Sequence, residues 1–314
     1  MKFCICLMIC VFTFKVCFAQ IQWDCTPSYS NAHLDINNID ALIQQGGCLW
    51  WDLFLEPGYE VPKGENVHAL YASAIWMAGI DEFGQLKEAA QTYRQSGNDF
   101  FPGPLDKNGN TNFNQCHNFD RFWKLNKSTI DSFIAGKFGL NIPKDILEWP
   151  GRNNPHLLNN VSDLDLAPYV DVNFDSQYNI DDGDYPLING DQSLWWVFND
   201  YGNYHSETQG VPLQVEVQAN AFSYKQNNCL DDVTFYEYKV INKSPVTIDS
   251  FFFGQWTTNS LGCWNDDYFG SDSARNMLVS YNGDNFDGPE CSINYGSFLP
   301  MLAIRFVNGP HDKF

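Results

Sequence analysis

Residues 171–186 read DVNFDSQYNIDDGDYP, the segment of the chain with the clearest chemical spacing. Side-chain oxygens fall at Asp171, Asn173 and Asp175, the 1, 3, 5 pattern of a calcium loop. Gln177 offers a backbone carbonyl at position 7, Asn179 stands at position 9 and Asp182 at position 12. A hard cation gathers roughly 6–8 oxygens, so these six residues are the candidate ligands and structural calcium is the expected cofactor. Two features depart from a sensor-type loop. Position 6, usually glycine, is Ser176, and position 12 is Asp rather than Glu. The competing reading is a solvated acidic loop of Asx turns.

Other candidate chemistry is weaker. Asp266, Asp267 and Asp272 could form a second cation loop, and Asp106 to Asn110 has similar oxygen spacing with fewer charges. His205 and Glu207 fall on one side of an extended segment, where a base and an acid could meet, but no third partner is identifiable. The other histidines are isolated. The chain has no GxSxG elbow, no HExxH and no glycine-rich phosphate loop, so no catalytic residue is assigned. The doublets Trp50-Trp51 and Trp195-Trp196 point one ring to each side of a strand; core or inter-sheet packing is the favoured reading, and the alternative is one ring of each at the surface for stacking on a sugar or partner.

These groups sit in a chain of 314 residues with 18 Lys+Arg, 38 Asp+Glu and a net charge of −20. Such a surface repels phosphate backbones, which excludes nucleic acid as a partner. Hydrophobic residues at 44 % against charged residues at 18 % supply a core and argue against disorder. Met1 to Ala19 carries Lys2, an apolar run from Phe3 to Phe14 and small residues before Gln20, the pattern of a signal peptide cut before Gln20. No later stretch is apolar for the roughly 20 residues of a membrane helix. Four of the ten cysteines leave with that leader. The remaining six, Cys25, Cys48, Cys116, Cys229, Cys263 and Cys291, allow up to three disulfides in an oxidising compartment, in a pairing the sequence does not choose. None lies within four residues of another, so CxxC zinc spacing is absent.

Strand signals dominate the elements that must carry these residues. Leu213 to Ala219 alternates with period two, and Thr234 to Ile241 is β-branched and aromatic. The turn Asn242 to Pro245 predicts a hairpin between that strand and Val246 to Phe253. Ala69 to Met77 and Gln85 to Tyr93 form a second predicted hairpin, and Leu302 to Val307 a last strand. Ser128 is placed to cap a short helix over 129–137, and Asp35 to Gln45 reads as a helix or an irregular segment. The sum is all-β, mainly an antiparallel β-sandwich, with long loops and a few short helices. The divisions are a signal peptide at 1–19, an N-terminal β-rich region at 20–165, the acidic calcium-type loop at 166–191 and a β-sandwich region at 192–314, read as truncated at its C-terminus.

Several strings resemble one family of exported proteins. They include Asn38 to Ile43, Glu60 to Gly64, Ala89 to Asp99, Pro102 to Pro104 and Ala167 to Asn173. Further strings are Asp182 to Pro186, Gly190 to Asp200, His205 to Thr208, Phe235 to Asn242 and Phe253 to Trp256. They are similar to the large Bacteroidota proteins that carry a C-terminal sorting domain for type IX secretion, although the sorting domain is absent here. The resemblance implies an extracellular or outer-surface location, a β-rich body and further β modules, and it carries over no catalytic residue. The expected function is a non-enzymatic surface or adhesive module, rigidified by calcium and disulfides, whose partners are surface glycans or other surface proteins. The alternative is a secreted protein that binds or hydrolyses carbohydrate. A hydrolase needs a concave cleft with two facing carboxylates.

Overall fold

The computed structural model describes residues 25–54, 56–157 and 164–309. The signal-peptide reading falls outside them. Two antiparallel sheets form the body. The first contains β1 (Asn31–Leu34), β2 (Asp40–Gln44), β3 (Cys48–Leu49), β4 (Tyr59–Glu60), β5 (His68–Asp81), β6 (Leu86–Ala90) and β14 (Ile248–Asn259). The second contains β7 (Phe101–Pro102), β8 (Trp123–Asn126), β11 (Gln192–Asn199), β12 (Val215–Ser223) and β13 (Thr234–Asn242). The fold is thus all-β, with three short helices: α1 (Phe113–Asn118), α2 (Lys127–Ile134) and α3 (Lys144–Leu147).

The main core lies between the sheets. Ile43, Leu49, Ile75 and Met77 of the first meet Leu194, Trp196, Phe198, Val215, Val217 and Ala219 of the second. Period-two alternation sends the neighbours of the latter set outward, which would leave Trp195 and Val197 in water. The long excursion 103–191 covers them instead. Trp123, Leu125, Ile146, Trp149 and Tyr178 pack on Trp195 and Val197 as a second core. All eight residues of β11 are consequently buried. The tryptophan doublets therefore follow the core-packing reading and not the exposed alternative: Trp195 and Trp196 face opposite ways, and both faces are covered. Trp50 lies in the main core against Tyr59, and Trp51 is buried against Tyr71.

Strands from both sides of the acidic loop enter each sheet, since β8 pairs with β11 and β5 pairs with β14. The predicted hairpin of β5 and β6 is present. The predicted hairpin after Asn242 is not: β13 pairs with β12 and β14 with β5, so the turn carries the chain from one sheet to the other. Asp35 to Gln45 is not helical: its first half is irregular, and β2 occupies Asp40–Gln44 and pairs with β1. The predicted Ser128 cap is displaced. Asn126 is the N-cap of α2, without a side-chain cap bond, and Asp131 binds Lys127 at 2.9 Å. A third sheet, β15 (Asp267–Asp272), β16 (Met277–Asn282) and β17 (Met301–Arg305), follows, with Leu302 and Ile304 packed on the main core.

Two disulfides brace the chain, Cys25–Cys116 and Cys263–Cys291. A third bridge is not formed: Cys48 is buried and unpaired, and Cys229 is exposed and unpaired. Gly202 lies over the first bridge, where a Cβ would come within 2.9 Å of the Cys25 Cβ and 2.6 Å of the Phe101 Cβ, so no larger residue fits.

Candidate functional site

The acidic loop is pinched at its base by two short strands, β9 (Tyr169–Val170) and β10 (Tyr185–Pro186). Within it, Asp171 accepts the Asp175 and Ser176 backbone N–H at 3.2 and 2.8 Å. Asn173 accepts the Asp175 N–H at 3.2 Å and donates to the Asp175 carboxylate at 3.0 Å, while Asp175 accepts the Gln177 N–H at 2.8 Å. Ser176 takes the left-handed conformation, φ 63°, that a glycine at position 6 would take. The structure therefore gathers Asp171, Asn173 and Asp175 around one turn. It sets Asn179 and Asp182 against each other, with Asn179 donating to Asp182 at 2.8 Å. Asp171, Asp175 and Asp182 do not form a group with ligand atoms all within 4.8 Å of one another. The residues fit the first half of a cation loop, and the same hydrogen bonds fit Asx turns. Sequence reading missed Asp184, which is fully buried and receives the Val172 and Asn179 N–H groups at 2.8 and 2.9 Å, anchoring both limbs of the loop.

The other acidic signals resolve differently. Asp106 accepts the Asn108 and Asn110 N–H groups at 2.8 and 2.9 Å, an Asx turn. Asp272 pairs with Arg275. Asp266 and Asp287 instead lie with the Cys263 sulfur, their ligand atoms all within 4.8 Å of one another. The Cys263 sulfur is spent in a disulfide, which removes it as a thiolate. Burial pushes the neighbouring Asp267 up to about 6, aided by the Asp266 and Asp287 charges and opposed by the Leu261 N–H. His205 and Glu207 have separate partners. Glu207 receives the Thr92 hydroxyl at 3.0 Å. His205 is fully buried, its Nδ1 2.8 Å from the Glu88 carbonyl and its Nε2 2.5 Å from the Asp200 carbonyl. The Asp99 and Asp200 carboxylates each lie 3.8 Å from a ring nitrogen.

A cleft of about 590 Å³ opens on the outer face of the second sheet, where the excursion stops short of its last strands. Register builds its floor. Trp195, Asn220 and Glu237 are cross-strand neighbours on β11, β12 and β13, and Val197, Gln218 and Lys239 form the next row. The wall comes from the segment entering the acidic loop and the segment leaving it, including Pro168, Tyr169, Leu187 and Asn189. Asn189 donates to Glu237 Oε2 at 2.9 Å and Asn220 to the same oxygen at 3.5 Å, while Asn220 Oδ1 receives the Ser193 hydroxyl at 2.5 Å. Arg152 and Asp165 pair at 3.4 Å on the rim. Burial raises the Tyr169 phenol, helped by the Asp171 and Asp184 charges, so it stays a neutral donor. Sequence reading picked Trp195 but not this cleft, because the row of Asn220 and Glu237 exists only in the register of three strands.

Among the described residues no helix is long and apolar enough to cross a membrane. Comparison with family models, with curated proteins and with solved structures finds no match.

Proposed function

We propose that the chain is an exported, non-enzymatic β-rich surface module that holds an extracellular ligand in the cleft beside the acidic loop. The cleft itself carries this reading: a concave site with an apolar wall and converging polar groups, of the size that binds small ligands. The two disulfides support an oxidising destination. The carboxylates of the cleft support binding over hydrolysis. Asp165 is 74 % exposed and paired with Arg152, and Glu237 is held by two amides, whereas a general acid is kept neutral by an apolar pocket. Calcium in the turn of Asp171, Asn173 and Asp175 would fix the two segments that form the cleft wall. The test is to incubate the secreted protein with polysaccharides and measure reducing ends, alongside mass analysis of its N-terminus. No release of reducing ends and a start at Gln20 are expected. Hydrolysis, or retention of residues 1–19, would overturn the reading.

A further inference from the structure

We infer that the ligand of the cleft is a neutral oligosaccharide, seated with a sugar face on the Tyr169 side and its hydroxyls on the row of Asn220 and Glu237; this rests on the reading of the cleft as a ligand site. The chemistry of the two surfaces differs in the way a sugar ring differs between its face and its edge. The wall offers Pro168, Tyr169 and Leu187, with Trp149 and Trp195 beneath them, a surface for C–H groups. The floor offers planar amides and a carboxylate locked in one orientation. Glu237 Oε2 is fixed by Asn189 and Asn220, while no protein donor among the described residues reaches its Oε1. That oxygen is an open acceptor for a hydroxyl, and charge-assisted hydrogen bonds of this kind are the stronger ones.

Two alternatives fit less well. An extended peptide recognises a sheet through free main-chain groups at an edge. Here the floor strand β12 is hydrogen-bonded on both sides, to β11 and to β13; β13, which carries Glu237, is the edge of this sheet, so the free main-chain groups run along its far side and the floor between β11 and β13 offers side chains. An acidic polysaccharide would need an excess of cations. The cleft instead sets Arg152 and Lys239 beside Asp165 and Glu237, two cations against two anions, within a chain of net charge −20. Nucleic acid meets the same objection more strongly.

The experiment uses the full secreted chain and calorimetric titration with cellotetraose, xylotetraose, laminaritetraose, mannotetraose and tetragalacturonate. At least one neutral probe should bind, and tetragalacturonate should not. Glu237→Ala and Tyr169→Ala should each weaken that binding by about tenfold or more, while Tyr169→Phe keeps it within a few-fold. Glu237 is exposed, so its variant should melt with the wild type, which separates lost contacts from lost fold. Binding of no neutral probe at millimolar concentration, binding of the acidic probe alone, or full affinity in both alanine variants would overturn the inference. A protein that is exported, hydrolyses nothing and binds no sugar would sink this assignment and leave the surface-module reading standing.

Discussion

Ser176 is the residue at which loop chemistry and backbone geometry meet. A left-handed serine is unfavourable on its own, and three oxygen-bearing side chains folded around it must offset that cost. A bound cation would add to the offset. Millimolar calcium should raise the melting temperature of the mature protein and chelator should lower it, and Asp175→Ala should remove most of the difference. Saturation at a hundredfold excess over Kd corresponds to about 2.7 kcal/mol. A flat calorimetric titration at millimolar calcium would leave the loop as a set of Asx turns. His205 supports a second prediction at this scale. Replacing it with leucine leaves the Glu88 and Asp200 carbonyls without the ring nitrogens that they meet in a fully buried site. Leaving a buried polar group unsatisfied costs about 1–3 kcal/mol, to be read from the urea midpoint, and an unchanged midpoint would contradict the network described.

At the scale of elements, the third sheet should respond to acid in an unusual direction. Asp267, at the start of β15, has its carboxyl pushed up to about 6, whereas an aspartate in the unfolded chain titrates near 3.9. The folded state therefore binds the proton more tightly. Its contribution is greatest below about pH 4, falls as the pH rises toward 6 and is flat above that. Burial raises Glu216 and Asp200 too, with the same sign. Asp267→Asn should flatten this part of a stability–pH curve, and an unchanged curve would count against it. The same region shows where sequence reading reached and where it stopped. Alternation in Leu213 to Ala219 and the β-branched run from Thr234 located β12 and β13 because side-chain period is local. The partner of β14 was misread because a short turn such as Asn242 to Pro245 serves a hairpin and a sheet-to-sheet crossing equally well. The cleft was invisible for a related reason: Trp195, Asn220 and Glu237 are neighbours only through ladders between distant segments.

For the whole molecule, covalent bracing is unequal. Cys25–Cys116 spans a sequence separation of 91 and Cys263–Cys291 one of 28. On the chain-entropy model these are worth about 4–5 and about 3–4 kcal/mol. The first ties the N-terminal segment to α1 in the excursion, and the second closes on the third sheet. Thiol titration of the denatured, unreduced protein should find two free thiols among the six cysteines from Cys25 to Cys291. Without denaturant only Cys229 should react, since Cys48 is buried and its thiol is pushed up to about 12 by that burial. No free thiol, or six, would contradict the assignment.

The burial of β11 on both faces also constrains the order in which a ribosome can complete the fold. Trp123 faces Trp195 across the β8–β11 ladder, yet it is made 72 residues earlier. At about 5–20 residues per second, it waits about 4–14 s for the strand beside which it will pair. During that interval the excursion has nothing to pack on, and its large aromatic rings are exposed. A chain built this way gains from being kept unfolded until Asn199 has emerged. Stalled nascent chains ending near residue 190 should be far more sensitive to protease across 103–191 than chains extended past 242, where β11, β12 and β13 are all available.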